Sequence, residues 1–134
     1  MRVDRIDHIV LTVRAIGATC EFYARVLGMQ VVTFGEGRKA LTFGRQKINL
    51  RPAVGDSGLI ASNPTPGSGD LCFISDLPLG PVKRHVESCG VEVIAGPVQR
   101  NGAVGMMESI YFRDPDGNLV EVSNYLNANQ CTGI

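Results

Sequence analysis

Two stretches of the chain repeat each other at a constant offset. Asp7-His8-Ile9-Val10-Leu11-Thr12-Val13 leads into a helix-like segment that stops at Gly28, and Met29-Gln30-Val31-Val32 follows. Gly69-Asp70-Leu71-Cys72-Phe73-Ile74-Ser75 leads into a second, which stops at Gly90 before Val91-Glu92-Val93-Ile94. His8 and Asp70 are 62 residues apart, and so are Gly28 and Gly90. Strand, helix and turn lengths match although side-chain identity is mostly lost, as expected of a duplicated unit. Each copy opens on a side chain able to ligate a metal. Polar groups at matching positions suggest a site built where two copies meet.

Local patterns fill in each copy. Branched apolar residues predict a strand over Ile6–Val13. Phe22, Tyr23, Val26 and Leu27 at helical spacing predict a helix over Ala18–Leu27, capped by Gly28. Strands follow over Gln30–Phe34, Lys39–Phe43 and Gln46–Arg51. Pro52–Ser68, rich in Gly, Ser, Pro and Asn, reads as a linker or lid. The order then restarts with a strand at Leu71–Ser75 and a helix at Leu79–Cys89. Strands at Glu92–Ile94, Ser109–Arg113 and Leu119–Ser123 complete the second copy, the last two joined by Asp114-Pro115-Asp116-Gly117. The stretch from Gly96 to Met107 reads either as a loop over a site or as a plain surface connection.

Alternation along the strands then brings polar groups to one side. Residues i and i+2 of a strand share a face. Ile9, Leu11, Ile48, Leu50, Phe73, Val120 and Val122 fall on faces suited to packing under the helices. His8, Asn49, Asp70 and Glu121 fall on the opposite ones, with His8 equivalent to Asp70 and Asn49 to Glu121. Burying a carboxylate is expensive unless a cation or donors compensate.

Composition removes other classes. Thirteen basic and thirteen acidic residues cancel, giving no electrostatic case for nucleic acid or an anionic membrane as partner. No apolar run approaches bilayer length and the N-terminus shows no apolar signal core, so a soluble cytoplasmic protein is the expectation. Cys20, Cys72, Cys89 and Cys131 lack CxxC spacing and read as reduced thiols.

The chain resembles the vicinal-oxygen-chelate superfamily of glyoxalases, bleomycin-resistance proteins and extradiol dioxygenases. The resemblance rests on Asp7-His8-Ile9-Val10-Leu11-Thr12-Val13, on Phe22-Tyr23 with Val26-Leu27-Gly28-Met29, and on Tyr111-Phe112-Arg113-Asp114-Pro115-Asp116-Gly117-Asn118-Leu119-Val120-Glu121. It is closest in character to small glyoxalase-domain proteins similar to lactoylglutathione lyase. It implies an α+β fold of two βαβββ modules forming an open cup-shaped mixed sheet with helices outside. The single domain covers 1–134, with module one at about 1–55, a linker at about 56–68 and module two at about 69–126. It implies one divalent metal ion per site, with Ni, Mn, Fe, Mg and Zn all open. Carried over position by position, His8 and Glu121 match the family's metal ligands. Asp70 stands where histidine is usual but is a competent oxygen ligand, so His8, Asp70 and Glu121 form the expected metal set; Asn49 stands where a longer glutamate or glutamine is usual. Asn49 is therefore expected as a weak ligand or a support for one.

The resemblance implies a metal-dependent glyoxalase-like lyase or isomerase acting on a small substrate chelated through vicinal oxygens. A thiol hemithioacetal of an α-ketoaldehyde is one such substrate. Glu121 would be the catalytic base, and Lys47, Arg51 and Cys72 would line the substrate pocket. Two alternatives stay open: an extradiol-type dioxygenase, and a non-catalytic bleomycin-like binding and resistance protein. Exposed sheet edges, together with relatives that share ligands between subunits, raise the expectation of a homodimer.

Overall fold

The computed structural model describes residues 1–127, so the reading of Cys131 as a free thiol lies outside the described residues. The chain divides into two compact units, Met1–Gly69 with Pro115–Gly117, and Asp70–Asp114 with the segment from Asn118 onward. Each unit is one βαβββ module with an open mixed sheet.

The first unit runs β1 (His8–Val13), α1 (Ile16–Leu27), β2 (Gln30–Phe34), β3 (Arg38–Phe43) and β4 (Gln46–Pro52). Its sheet order is β1-β4-β3-β2, with β1 parallel to β4 and the other neighbours antiparallel. Helix α1 begins at Ile16, ahead of the expected Ala18, because Thr19 N–H already bonds Ala15 O at 3.1 Å. It ends where Gly28 takes φ 67° and donates to the Ala24 carbonyl while Met29 N–H donates to that of Tyr23, a left-handed cap that a Cβ would disfavour. Phe22, Tyr23 and Val26 are buried along the helix, and Val13, Leu41, Ile48 and Leu50 on the sheet. Each such side chain contributes about 1.5–3 kcal/mol by leaving water. The turn residue Asp116 closes onto this unit. Its Oδ1 accepts from the Arg14 peptide N–H at 3.1 Å and from the Arg14 guanidinium at 3.2 Å.

The second unit runs β5 (Asp70–Ile74), α2 (Leu79–Ser88), β6 (Ala95–Asn101), β7 (Met106–Arg113) and β8 (Leu119–Tyr125). Its order, β5-β8-β7-β6, repeats the first unit strand for strand, again with the outer strand parallel to its neighbour. Leu79, Val82 and Val86 of α2 are buried, as are Ile110, Phe112, Val120 and Val122 of the sheet.

The second strand of this unit departs from expectation. No strand forms over Glu92–Ile94, and β6 instead occupies Ala95–Asn101, inside the stretch read as a loop. Gly96-Pro97 looks like a breaker, but it sits at a register shift between Ala95 and Val98 where the edge strand tolerates it. The peptide bond there is cis. Gly96 has φ 99°, and a Cβ on it would lie 2.2 Å from Ser109 O. The connection thus shrinks to residues 102–105, closed by a Gly102 N–H bond to Gly105 O at 2.7 Å. The turn before β8 is locked by Asp114, whose carboxylate accepts from the Asn118 backbone at 2.9 Å and from its side chain at 2.8 Å. Among the described residues, no helix is long and apolar enough to cross a membrane.

Candidate functional site

In the first unit the β1–β4 register pairs His8 with Lys47, Val10 with Asn49 and Thr12 with Arg51. His8, Lys47, Asn49 and Arg51 therefore lie on one sheet face. His8 is exposed, and its Nδ1 lies 2.7 Å from Asp7 Oδ2. That hydrogen bond holds the Asp7 carboxyl below its ordinary pKa and leaves Nε2 as the other ring nitrogen. Lys47 places its ammonium 4.2 Å from the centre of the Phe34 ring. Arg51 is paired through Nε with Asp56 Oδ2 at 3.2 Å. Asn49 is buried and its Oδ1 has no hydrogen-bond partner. An unmet acceptor of this kind costs about 1–3 kcal/mol. The residue also lines a cavity of about 280 Å³ with Val10, Ile16, Arg38, Arg51 and Asp56, though its Oδ1 is itself covered.

In the second unit, Asp70 pairs with Leu119 and Cys72 with Glu121, while Glu121 is matched across β7 to Tyr111. Asp70, Cys72, Glu121 and Tyr111 again share one face. Ser123 is the hub beneath them. Its hydroxyl donates to Glu121 Oε2 at 3.3 Å and lies 2.6 Å from Ser109 Oγ and 3.3 Å from Cys72 Sγ. With Ser123 donating to the carboxylate, Ser109 and the Cys72 thiol are left to donate to Ser123, which uses its full hydrogen-bonding capacity. Burial pushes the Cys72 thiol above its ordinary pKa, against a lowering from Ser123, and the charge on Glu121 adds to the rise. Tyr111 is raised too, first by burial and then by Glu121, against the opposing effect of Arg100. Arg100 Nε donates to the Tyr111 hydroxyl at 3.0 Å, with the guanidinium carbon 5.5 Å from the ring centre. The face opens on a cavity of about 420 Å³, where Ile74, Met107 and Tyr125 supply apolar surface beside Cys72, Glu121, Tyr111 and Arg100.

The structure thus groups the expected residues unit by unit: His8, Asn49, Lys47 and Arg51 on one face, Asp70, Cys72 and Glu121 on another. Among the described residues, no three His, Cys, Asp or Glu side chains gather within metal-binding reach. One imidazole and two carboxylates suit a hard divalent ion, but neither unit by itself brings three of them together. Arg100, Tyr111 and Tyr125 were missed as site residues. Tyr111 was within reach of the alternation argument, since it sits opposite Glu121. Arg100 was not, because its strand was read as a loop. His85 is exposed on α2, with its Nε2 3.8 Å from Cys89 Sγ.

An open βαβββ module, made twice, with polar side chains on otherwise apolar sheet faces, defines a class of small-molecule-handling folds. The chain belongs to the Glyoxalase/Bleomycin resistance protein/Dioxygenase superfamily, whose profile matches residues 5–122. It is 52% identical over 126 residues to the virulence protein STM3117 of Salmonella typhimurium, covering 94% of this chain and 88% of that one. An integron cassette protein from the mobile metagenome of V. cholerae has a solved structure with a TM-score of 0.93 and 52% identity, covering 94% and 98% of the two chains. A lactoylglutathione lyase from Agrobacterium tumefaciens has a TM-score of 0.71 at 26% identity, covering 92% and 95%.

Proposed function

We propose that this chain is a small-molecule-binding protein of the bleomycin-resistance kind, holding its ligand against the β5–β8–β7 face of the second unit. One observation carries this reading: a carboxylate, a phenol and a guanidinium stand together in a cavity of about 420 Å³ that Ile74, Ala103, Met107 and the Tyr125 ring also line. A few placed polar groups on an apolar lining is the usual make-up of a ligand site. Glu121 offers its carboxylate to a ligand hydroxyl, Arg100 faces an anionic or carbonyl oxygen, and Tyr125 and Met107 take a flat apolar body. Calorimetry against a panel of hydroxylated aromatic compounds, bleomycin included, tests it. Saturable binding by the wild type, weakened about tenfold or more by Arg100→Ala and by Glu121→Ala, is expected. A panel without a binder, or variants that bind like wild type, would overturn it.

A second reading, the metal-dependent glyoxalase-type lyase, has one specific observation in its favour. The Asp7 carboxylate orients the His8 imidazole as second-sphere carboxylates do for ligand histidines. A divalent ion there would supply Lewis acidity. His8 and Glu121 would hold it, and Glu121 would move the proton. Elemental analysis after mild purification decides between the readings, with His8→Ala expected to lose any metal found. The homodimer expected from the exposed sheet edges is a separate proposal, and a monomer by light scattering at micromolar concentration would contradict it.

A further inference from the structure

Away from the sheet faces, the last turn of α2 carries a pair of metal-ligating atoms. His85 and Cys89 are four residues apart, so the helix stacks their side chains on one side. His85 Nε2 lies 3.8 Å from Cys89 Sγ, with the imidazole exposed and the free thiol half-buried. The pair shares no residue with the ligand face proposed above, nor with His8 and Glu121.

Three features suit this pair to a cation. The first is its span. An ion about 2.3 Å from a sulfur and about 2.0–2.1 Å from a nitrogen, with those donors 3.8 Å apart, sees them at an angle of roughly 120°, near the tetrahedral preference of zinc. The second is preorganisation. Cys89 N–H donates to the His85 carbonyl at 3.1 Å, and Ser88 Oγ donates to the same oxygen at 2.6 Å. The backbone that carries both ligands is therefore tied together before any ion arrives. The third is position. Cys89 is the C-cap of α2, and the carbonyls at a helix C-terminus carry partial negative charge that favours a cation.

Donor chemistry selects the ion. A thiolate beside an imidazole prefers zinc-like, thiophilic metals to magnesium or calcium. Among the described residues, no third His, Cys, Asp or Glu joins the pair, which leaves the remaining positions to water and makes the ion exchangeable.

We propose that His85 and Cys89 form a binding site for a thiophilic divalent cation of the zinc class, held by the Cys89 thiolate and by His85 Nε2. The ion replaces the thiol proton, which leaves to solvent, while the imidazole stays neutral with its own proton on Nδ1.

The test is a titration of the reduced full chain with cobalt(II), followed in the near ultraviolet. A cobalt–thiolate bond gives a charge-transfer band there that imidazole and carboxylate ligands do not, so the band is silent on any ion held by His8 and Glu121. It should saturate with a dissociation constant on the order of 1–100 µM, as befits two of the four ligands of a structural zinc site. Zinc(II) should then displace the cobalt and remove the band. His85→Ala, a change at an exposed position, should weaken binding about tenfold or more, and Cys89→Ser should abolish the band. Cys20→Ser should leave it unchanged. Should Cys89→Ser fail to fold, the His85→Ala titration decides. A band that never saturates in the wild type, one that persists in folded Cys89→Ser, or an unchanged affinity in His85→Ala would each overturn the proposal.

Discussion

The two units share a backbone plan and differ in what they place on it. Val10–Asn49 in the first unit and Cys72–Glu121 in the second occupy the same point of the parallel strand pair. Across the antiparallel neighbour, Ala40 faces Asn49 where Tyr111 faces Glu121. The first unit leaves Asn49 Oδ1 buried and unanswered beside two arginines, while the second surrounds Glu121 with Ser123, Cys72 and Tyr111. The edges differ as well. Strand β2 pairs with β3 without a break, whereas β6 carries a register shift at Gly96-Pro97. A duplicated scaffold therefore fixes where side chains point, and substitution decides what chemistry they offer. One face became basic with a covered, unmet acceptor, the other a connected polar network beside aromatic walls.

The largest expected effect probes the cores. Phe112, fully buried, stands where the first unit has Leu41, also fully buried. Phe112→Ala should cost about 3–5 kcal/mol in urea unfolding, and Leu41→Ala about 2–5. A cost below 1 kcal/mol for both would show that the two sheets are not packed as described. Next comes the edge. Gly96→Ala sets a Cβ 2.2 Å from the Ser109 carbonyl oxygen at φ 99°, and should cost about 2–3 kcal/mol. Gly28→Ala, with open space around its Cβ and φ 67°, should cost only about 1 kcal/mol. Equal losses in thermal melts would contradict the contrast between edge and cap.

The two smaller effects address the polar pair. Asn49→Leu removes an unmet acceptor and should raise stability by about 1 kcal/mol, whereas Glu121→Leu strands the Ser123 hydroxyl and should lower it by a similar amount. Matching signs in denaturant titrations would erase the proposed difference. Last, the Cys72 thiol is raised in the folded state. Its contribution to stability is present below the ordinary thiol pKa and is lost as pH rises through the folded value. Glu121→Gln removes a negative charge beside it, so iodoacetamide should label Cys72 a few times faster at mildly alkaline pH, read by peptide mass spectrometry. Unchanged labelling would mean that Glu121 does not face the thiol.

How far the site was legible depended on whether a residue lay on a well-patterned strand. Alternation placed His8 with Asn49 and Cys72 with Glu121, and the observed registers put each pair on one sheet face. The repeated strand order matched Asn49 with Glu121 although they are 72 residues apart rather than 62, and the strand ladders agree, since Val10–Asn49 and Cys72–Glu121 are equivalent pairs. Arg100 escaped notice because Gly96-Pro97 lowers strand propensity, and only backbone pairing with Ser109 and Met107 overrides that local preference. Lys47 and Arg51 were legible as basic residues on the right face, but not their engagement with Phe34 and Asp56.

The sequence by itself determined the duplicated βαβββ order, the cap at Gly28 and the faces of the strands. These follow from residue spacing, apolar period and glycine geometry, which act over a few residues at a time. Tertiary structure alone decided that Ser123 joins Glu121, Ser109 and Cys72, that Arg100 lies on Tyr111, and that Asn49 is left with an unmet acceptor. Those outcomes depend on which strand lies beside which and in what register. A shift of one residue would turn every one of these side chains to the other face.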